Sequence, residues 1–234
     1  MKSFIPNLLT LANLACGLLA IVSIFSSDYK QAAILMAMSQ VFDFFDGFAA
    51  RLLKVHSELG KQLDSLADLV SFGVAPGFLV FKMFQMSYLS GEPSPDFLPY
   101  IALLIPLLSA LRLAKFNIDT RQADYFIGMP TPANALFLYS IGLMGIYTDN
   151  ETVQNIILHP FLLTAITIIT SFLLVAELPL MSLKVKNTKW KENKGRIILL
   201  LGIILLLVIF RFRALAFIIP FYLLLSLVFK PNKK

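Results

Sequence analysis

Charge and cysteine are both scarce in this chain of 234 residues. Charged residues make up 15% of it, against about 25% in a typical soluble domain, so the composition excludes an ordinary soluble fold. The single cysteine, Cys16, excludes an internal disulfide. No small-x-small cleavage site follows the first apolar run, which we interpret as a retained helix. The alternating polarity of β-barrel strands and the internal repeats of many transporters are also missing.

Long apolar runs are abundant instead: 58% of the residues are hydrophobic and the mean hydropathy is +0.78. Runs of about 18 or more apolar residues predict membrane-spanning helices. We predict an all-α polytopic membrane bundle with eight spans, a six-helix core in residues 1–180 and a basic loop with a two-helix hairpin in residues 181–234. The predicted spans are Leu8–Ser26, Gln31–Leu52, Leu59–Phe84, Leu98–Phe116, Pro132–Tyr147, Ile156–Ala176, Arg196–Phe210 and Ala214–Phe229.

Lysine and arginine are concentrated in alternate loops, which predicts the orientation of the chain in the membrane. The loops between these basic ones hold one lysine and are otherwise polar or acidic. We therefore expect a multi-pass protein of the cell membrane with both termini in the cytoplasm, and we read the net charge of +6 as a topology signal that requires no nucleic acid. Arg211 and Arg213 break the pattern. The basic loop and tail residues are Arg51, Lys54, Lys61, Arg112, Lys115, Arg121, Lys184, Lys186, Lys189, Lys191, Lys194, Arg196, Lys230, Lys233 and Lys234.

Four aspartates lie close together within this apolar sequence. Asp43 and Asp46 are three residues apart near the cytoplasmic end of the second span, and Asp64 and Asp68 are four apart near the start of the third. Residues at these spacings share one face of a helix. A short turn at residues 56–57 would make the two helices antiparallel neighbours, so we expect the carboxylates to converge.

Such a cluster needs compensating positive charge, because an ionisable residue inside a bilayer costs about 2.5–3.5 kcal/mol on insertion scales. Arg51 and Lys54 are nearby, but two bases do not neutralise four acids. An all-carboxylate oxygen site favours Mg²⁺, Mn²⁺ or Ca²⁺, and neither His56 nor His159 is placed to assist. The alternative is that the acids pair with local Lys and Arg at a wet interface.

A carboxylate–metal site facing the cytoplasm suits phosphate chemistry, in which metal ions neutralise phosphate oxygens and a spare carboxylate accepts a proton. These residues predict a membrane enzyme that transfers a phosphate-containing group, with lipid as one substrate. A divalent-cation transporter with the aspartates as its transit site, and a non-catalytic membrane scaffold, are alternatives from other classes.

The stretch D-x2-D-G-x2-A-R-x8-G-x3-D-x3-D resembles the signature of the CDP-alcohol phosphatidyltransferases. Its eight positions are Asp43, Asp46, Gly47, Ala50, Arg51, Gly60, Asp64 and Asp68. The resemblance implies a six-helix core, a divalent metal pair of Mg²⁺ or Mn²⁺ held by the four aspartates, and frequently a homodimer. It also implies attack of an alcohol hydroxyl on a CDP-linked lipid with release of CMP.

The resemblance further implies a role for each matching residue. Asp68 would be the general base, and all four aspartates would hold metal. Gly47 and Ala50 would pack against the cytidine diphosphate, with Arg51 and Gly60 as further signature positions of the CDP-lipid site.

Segments outside the signature resemble the phosphatidylserine synthase group of this family. They are "IPNLLTLANLACG", "LDSLADLVSFGVAPG", "LRLAKFNID" and "YFIGMPTPANA". The resemblance implies CDP-diacylglycerol and L-serine as substrates. Glycerol 3-phosphate, inositol phosphate and choline are alternative acceptors.

Polar residues of these segments add candidate contacts. Asn7, Thr10 and Asn13 recur every three residues and are placed to bind the nucleotide, or else to make contacts between helices. Arg112, Lys115 and Asn117 end the fourth span and are candidates for binding a phosphate or the serine carboxylate, for which Arg has a planar donor fork. The alternative for the two bases is a role in topology alone.

Overall fold

The predicted apolar runs are helices in the computed structural model, which describes residues 4–55, 57–89, 95–119, 126–181 and 190–229. The first span is α1 (Phe4–Phe25) and the second is α2 (Tyr29–Leu53). The third is one continuous helical segment made of α3 (Glu58–Asp68), a π-helix (Leu69–Val74) and α4 (Ala75–Leu89). The fourth is a 3₁₀ turn (Leu98–Leu103) that leads into α5 (Leu104–Ile118). Each is long and apolar enough to cross a membrane.

The remaining spans are less regular. The fifth is α6 (Thr131–Ile146), and the sixth is α7 (Glu151–Ile157) with α8 (Pro160–Val175), bent by 50° at His159. The seventh is α9 (Trp190–Phe210), six residues longer at its start than predicted, and the last is α10 (Leu215–Val228) after a 3₁₀ turn at Arg211–Ala214. All eight predicted spans coincide with helices of a polytopic bundle. Two of these helices, α6 and α10, are shorter than a full membrane crossing.

Some predicted features lie outside the described residues: His56, Arg121, Lys184, Lys186, Lys189, Lys230, Lys233 and Lys234, and the side chains of Lys191 and Arg213. The turn from α2 to α3 is otherwise visible. It begins at Lys54, whose positive φ of 51° closes α2. It ends at Ser57, whose side chain accepts a hydrogen bond from Gly60 N at 3.0 Å and caps α3.

Helix α1 is the central element of the polar half of the molecule, since it packs against α2, α3, the π-helix and α4. Gly17 permits the closest approach: a Cβ at this position would lie 2.8 Å from the Cα of Ser71. The apolar core lies at the other end of these helices and includes Ile24, Met36 and Met83. The aspartates of α2 and α3 therefore lie beyond one end of this core.

One short antiparallel pair, β1 (Phe126–Ile127) with β2 (Pro179–Leu180), joins the start of α6 to the end of α8. Gly128 follows β1 with φ +73°, a conformation that favours glycine. Its N–H donates to Leu178 O at 3.0 Å. The last helix is attached at the same place, because Tyr222 Oη donates to Met181 O at 2.9 Å.

Candidate active site

Three of the four aspartates converge on one point. One oxygen each of Asp43, Asp64 and Asp68 lies within 4.8 Å of the other two. Asp43 comes from the last turns of α2, Asp64 from the middle of α3 and Asp68 from its last residue. The four-residue spacing in α3 puts Asp64 and Asp68 on one face, and packing against α1 brings that face towards Asp43.

The fourth aspartate has a different neighbour. Asp46 is 6% exposed, and its Oδ2 lies 2.6 Å from Thr10 Oγ1 in α1. Thr10 Oγ1 is also 3.0 Å from Pro6 O one turn earlier, so its single proton is shared between a carboxylate and a backbone acceptor. Asp46 adjoins the cluster of three but is separately held.

Within the described part of the chain, no Lys or Arg forms an ion pair with any of the four aspartates. Arg112 in α5 interacts electrostatically with Asp68 and is 8% exposed. One buried guanidinium against four acids leaves room for cations, and clustered carboxylate oxygens are the ligands that Mg²⁺ and Mn²⁺ prefer. The residues present therefore fit a divalent metal.

A cavity of about 490 Å³ opens beside the aspartates. It lies between the start of α1, the end of α2 and the start of α3, and small side chains border it. The lining residues are Pro6, Asn7, Thr10, Asp46, Gly47, Ala50, Val55, Ser57, Glu58, Gly60, Lys61 and Asp64. This volume lies within the range of small-molecule sites, about 300–1,000 Å³.

Most residues predicted from sequence to bind the CDP-lipid line this cavity. Asn7, Thr10, Gly47, Ala50 and Gly60 all do so. Arg51 does not line it: its side chain is exposed, and its Nη1 lies 4.0 Å from the point where a Cβ on Gly47 would be.

Asn13 lies elsewhere. It is fully buried, is not among the cavity residues, and donates from Nδ2 to Asp68 Oδ1 at 3.2 Å. Its Oδ1 accepts from Ser39 Oγ. Sequence reasoning missed Ser39, although its position four residues before Asp43 puts both side chains on one face of α2.

The three residues predicted at the end of α5 are not brought together. Arg112 is buried and lies 5.7 Å above the Phe116 ring, whereas Lys115 is exposed. Asn117 connects α5 to α3: its Nδ2 donates to Ser65 Oγ at 2.8 Å, and its carbonyl accepts from Lys61 Nζ at 2.6 Å.

Several buried polar atoms near the start of α6 and on α5 have no hydrogen-bond partner among the described residues. They are Arg112 Nε, Ser109 Oγ, Thr131 Oγ1 and both amide atoms of Asn134. Buried polar groups in native structures normally have partners. Thr131 and Asn134, within "GMPTPANA", were not predicted as site residues, and the signal available was only that two polar residues begin an apolar helix.

Comparison with known proteins places this architecture in a family. Residues 3–167 match the family model described as CDP-alcohol phosphatidyltransferase. The CDP-diacylglycerol–serine O-phosphatidyltransferase of Bacillus subtilis is 40% identical over 134 residues, which are 56% of this chain and 70% of that protein. The archaetidylserine synthase of Methanothermobacter thermautotrophicus is 34% identical over 149 residues, 62% of this chain and 60% of that one.

A Helicobacter pylori protein named CDP-diacylglycerol–serine O-phosphatidyltransferase is 36% identical over 135 residues, 57% of this chain and 54% of its own length. The matches to the archaeal and Helicobacter proteins thus span less than two thirds of those chains. The family model covers most of this chain, including α1, all four aspartates and the whole cavity lining. The chain therefore belongs to the CDP-alcohol phosphatidyltransferase family of membrane transferases.

Proposed function

We propose that the chain makes phosphatidylserine and CMP from CDP-diacylglycerol and L-serine. The observation that carries this proposal is the convergence of Asp43, Asp64 and Asp68 within 4.8 Å beside a cavity large enough for a nucleotide. Serine as the acceptor is supported by the names of the three relatives given above, two CDP-diacylglycerol–serine O-phosphatidyltransferases and one archaetidylserine synthase.

The cavity is the proposed site of the cytidine diphosphate. Gly47 and Ala50 face it from α2 and Gly60 faces it from α3. At these three positions the wall is backbone or a methyl group, which leaves room for a flat base and its ribose. Asn7 and Thr10 border it from α1 and supply hydrogen-bonding groups. The lipid tails remain in the bilayer and enter between helices.

Asp43, Asp46, Asp64 and Asp68 would hold Mg²⁺ or Mn²⁺. Two divalent ions would balance the charge of the four carboxylates. A bound divalent ion supplies positive charge that offsets the pyrophosphate oxygens and the charge that develops as phosphorus is attacked. Arg51 is exposed beside Gly47, and Lys61 is exposed in the cavity lining. Both add positive charge where the anionic headgroup arrives.

Asp68 is the proposed general base. Its carboxylate takes the proton from the serine hydroxyl as that oxygen forms a bond to the lipid-attached phosphorus, and the bond from phosphorus to the CMP oxygen breaks. Arg112 is buried next to Asp68, with its Nε unpartnered within the described part of the chain. We assign it to the serine carboxylate, for which its planar fork is suited. Lys115 is exposed, and Asn117 donates a hydrogen bond to Ser65. Both would act only at the edge of that site.

The wider setting is also part of the proposal. The active site faces the cytoplasm of the cell, residues 1–180 form the catalytic core with residues 181–234 as an appended hairpin, and the protein works as a homodimer.

The test is CMP release by the purified protein with CDP-diacylglycerol, Mg²⁺ or Mn²⁺, and each candidate alcohol in turn. Release that requires both L-serine and metal is the expected result, and EDTA abolishes it. Release with glycerol 3-phosphate or inositol phosphate, and none with serine, would overturn the acceptor and keep the chemistry. No release with any alcohol, together with metal flux in proteoliposomes, would favour a cation transporter instead.

A further inference from the structure

Asn13 lies at the centre of a buried hydrogen-bond network that joins three transmembrane elements. Its Nδ2 donates to Asp68 Oδ1 at 3.2 Å. Its Oδ1 accepts from Ser39 Oγ in α2. Its backbone carbonyl lies 3.1 Å from Ser71 Oγ in the π-helix and 3.2 Å from Ser39 Oγ. Asn13 and Ser39 are fully buried, and Ser71 is 1% exposed.

The single proton of Ser39 has two acceptors within reach, and the chemistry selects between them. The Asn13 carbonyl already accepts the helical N–H one turn later, whereas its amide oxygen has no other donor among the described residues, and the Ser39 hydroxyl lies closer to that amide oxygen than to the carbonyl. The proton of Ser39 is therefore directed to the side-chain amide oxygen of Asn13.

This choice decides which way the Asn13 amide points. A carboxylate only accepts hydrogen bonds, so the NH₂ group must face Asp68 and the amide oxygen must face away from it. A donor at that oxygen, Ser39, stabilises this orientation and leaves no buried amide atom unsatisfied. Among the described residues, Asn13 is the one hydrogen-bond donor that the structure gives to Asp68.

We propose that Asn13 and Ser39 are positioning residues, which act on the reaction only by fixing the carboxylate of Asp68. The inference rests on the proposed function, in which Asp68 holds metal and accepts the serine proton. Ser39 orients Asn13, Asn13 holds Oδ1 of Asp68, and the second oxygen of that carboxylate is presented in a fixed direction. Neither positioning residue lines the cavity, so neither contacts the nucleotide.

The contact between Thr10 and Asp46 is a different case, although it also comes from α1. Thr10 borders the cavity, so its removal would alter the binding surface as well as Asp46. Asn13 and Ser39 do not line the cavity, so their removal leaves the binding surface unchanged. A kinetic experiment can therefore separate positioning from binding at these two residues.

Ser39 and Ser71 provide a matched pair for the test. Both are buried serines within reach of the Asn13 carbonyl, but only Ser39 reaches the amide oxygen. Ser39→Ala and Ser71→Ala each remove one buried hydroxyl next to Asn13. The full-length variants are compared for kcat, KM for CDP-diacylglycerol, thermal unfolding, and Mn²⁺ affinity measured without substrate.

The expected result for Ser39→Ala is a fall in kcat and in Mn²⁺ affinity, each of about 10- to 100-fold, the range seen when groups that orient metal ligands are removed. KM for CDP-diacylglycerol stays within about twofold. For Ser71→Ala, kcat and Mn²⁺ affinity stay within about twofold of wild type. The thermal midpoint is expected to fall by a similar amount in the two alanine variants. If Ser39→Ala does not fold, Ser39→Cys keeps the packing with a weaker donor, and its kcat and Mn²⁺ affinity are expected to fall below those of both wild type and Ser71→Ala.

Equal losses of kcat and Mn²⁺ affinity in the two alanine variants would overturn the proposal, because the effect would then follow stability. So would an unchanged Mn²⁺ affinity in Ser39→Ala. If the wild type releases no CMP with any alcohol but Ser39→Ala alone weakens Mn²⁺ binding, the proposed function fails and the positioning of Asp68 stands.

Discussion

The four aspartates are chemically identical, and their neighbours make them different. Asp46 has the hydroxyl of Thr10, Asp68 has the amide of Asn13 and the nearby guanidinium of Arg112, and Asp43 and Asp64 are half-buried members of the cluster. A carboxylate with one oxygen engaged by a neutral donor keeps its charge and its second oxygen for chemistry. Thr10 engages Asp46 in the same way, so what favours Asp68 as the proposed base is its position beside Arg112, the proposed partner of the serine carboxylate.

Replacing Asp68 by Asn tests that assignment. The amide keeps the shape of the carboxylate but has no basic oxygen, so we expect turnover to fall by at least about 10²- to 10⁴-fold, the usual contribution of general base catalysis. Binding of CDP-diacylglycerol, measured by equilibrium dialysis, should be largely retained because Asp68 does not line the cavity. Full activity in this variant would remove Asp68 from the mechanism.

The cavity wall at Gly47 permits a test of nucleotide binding that leaves packing intact. The nearest atom to a Cβ at Gly47 would be Arg51 Nη1 at 4.0 Å, so the Cβ of Gly47→Val has open space around it and the new side chain occupies part of the cavity. We expect an unchanged thermal midpoint and a KM for CDP-diacylglycerol raised about tenfold, which corresponds to about 1.4 kcal/mol. The control is Ala49→Val, in the same turn of α2 but outside the cavity lining. A similar rise in KM in both variants would show that the effect comes from a larger side chain on α2 and not from the filled cavity.

At the scale of elements, α1 holds the polar centre together. It supplies Thr10 to Asp46 and Asn13 to Asp68, three residues apart, so one face of one helix supports one carboxylate of each pair. The π-helix at Leu69–Val74 begins directly after Asp68. Such segments are rare and frequently occur at functional sites. Here it places Ser71 against the backbone of α1.

The contact between α1 and the π-helix depends on Gly17. A methyl group there would lie 2.8 Å from Ser71 Cα, a backbone atom that cannot turn aside, so Gly17→Ala must separate the two helices. We expect a loss of about 1–3 kcal/mol in stability, as for other overpacked sites, and weaker Mn²⁺ binding because Asn13 shifts away from Asp68. Gly47→Ala, where the methyl group has space, is the matched control, and its thermal midpoint should not fall. An equal fall in both variants would indicate a general effect of losing glycine from a helix.

At the scale of the whole molecule, apolar and polar contents are segregated along the helices. The apolar core includes residues such as Ile24, Met36 and Met83, whereas the aspartates and the cavity lie towards the opposite ends of α1 and α2. This polar end is also where the loops rich in Lys and Arg begin, and the positive-inside rule supports the proposal that the site faces the cytoplasm.

Reporter fusions test this orientation. With eight spans, we expect alkaline phosphatase fused after Asn150 to be active outside the cytoplasm, and a fluorescent protein fused after Lys186 or Lys234 to fluoresce inside it. The bend of 50° between α7 and α8 makes the comparison informative. If α7 and α8 form a re-entrant hairpin and do not cross, the fusions after Asn150 and Lys186 will report the same side. Outward reporters at both Lys positions would reverse the predicted topology.

Much of the fold could be predicted because its causes are local. A run of apolar residues long enough to cross a bilayer must satisfy its own backbone hydrogen bonds and therefore becomes a helix, and all eight predicted spans are helical in the structure. Spacings of three and four residues likewise put Asp43 and Asp46 on one helix face, and Asp64 and Asp68 on another. This prediction needs no knowledge of how the helices pack against one another. The bend at His159 was missed although its cause is also local: Pro160 begins α8 and disfavours a helical conformation in the residue before it.

The sequence by itself determined a multi-pass helical protein with paired aspartates in two successive spans, since helix period and hydrophobic length act within a segment. Only the tertiary structure decided that Asp46 stands apart from the other three and that Asn13 turns to Asp68 and away from the cavity. It also decided that Asn117 binds Ser65. These contacts join residues 36 to 55 positions apart, and the rotation of each helix about its axis, which sets them, follows from the packing of the entire bundle.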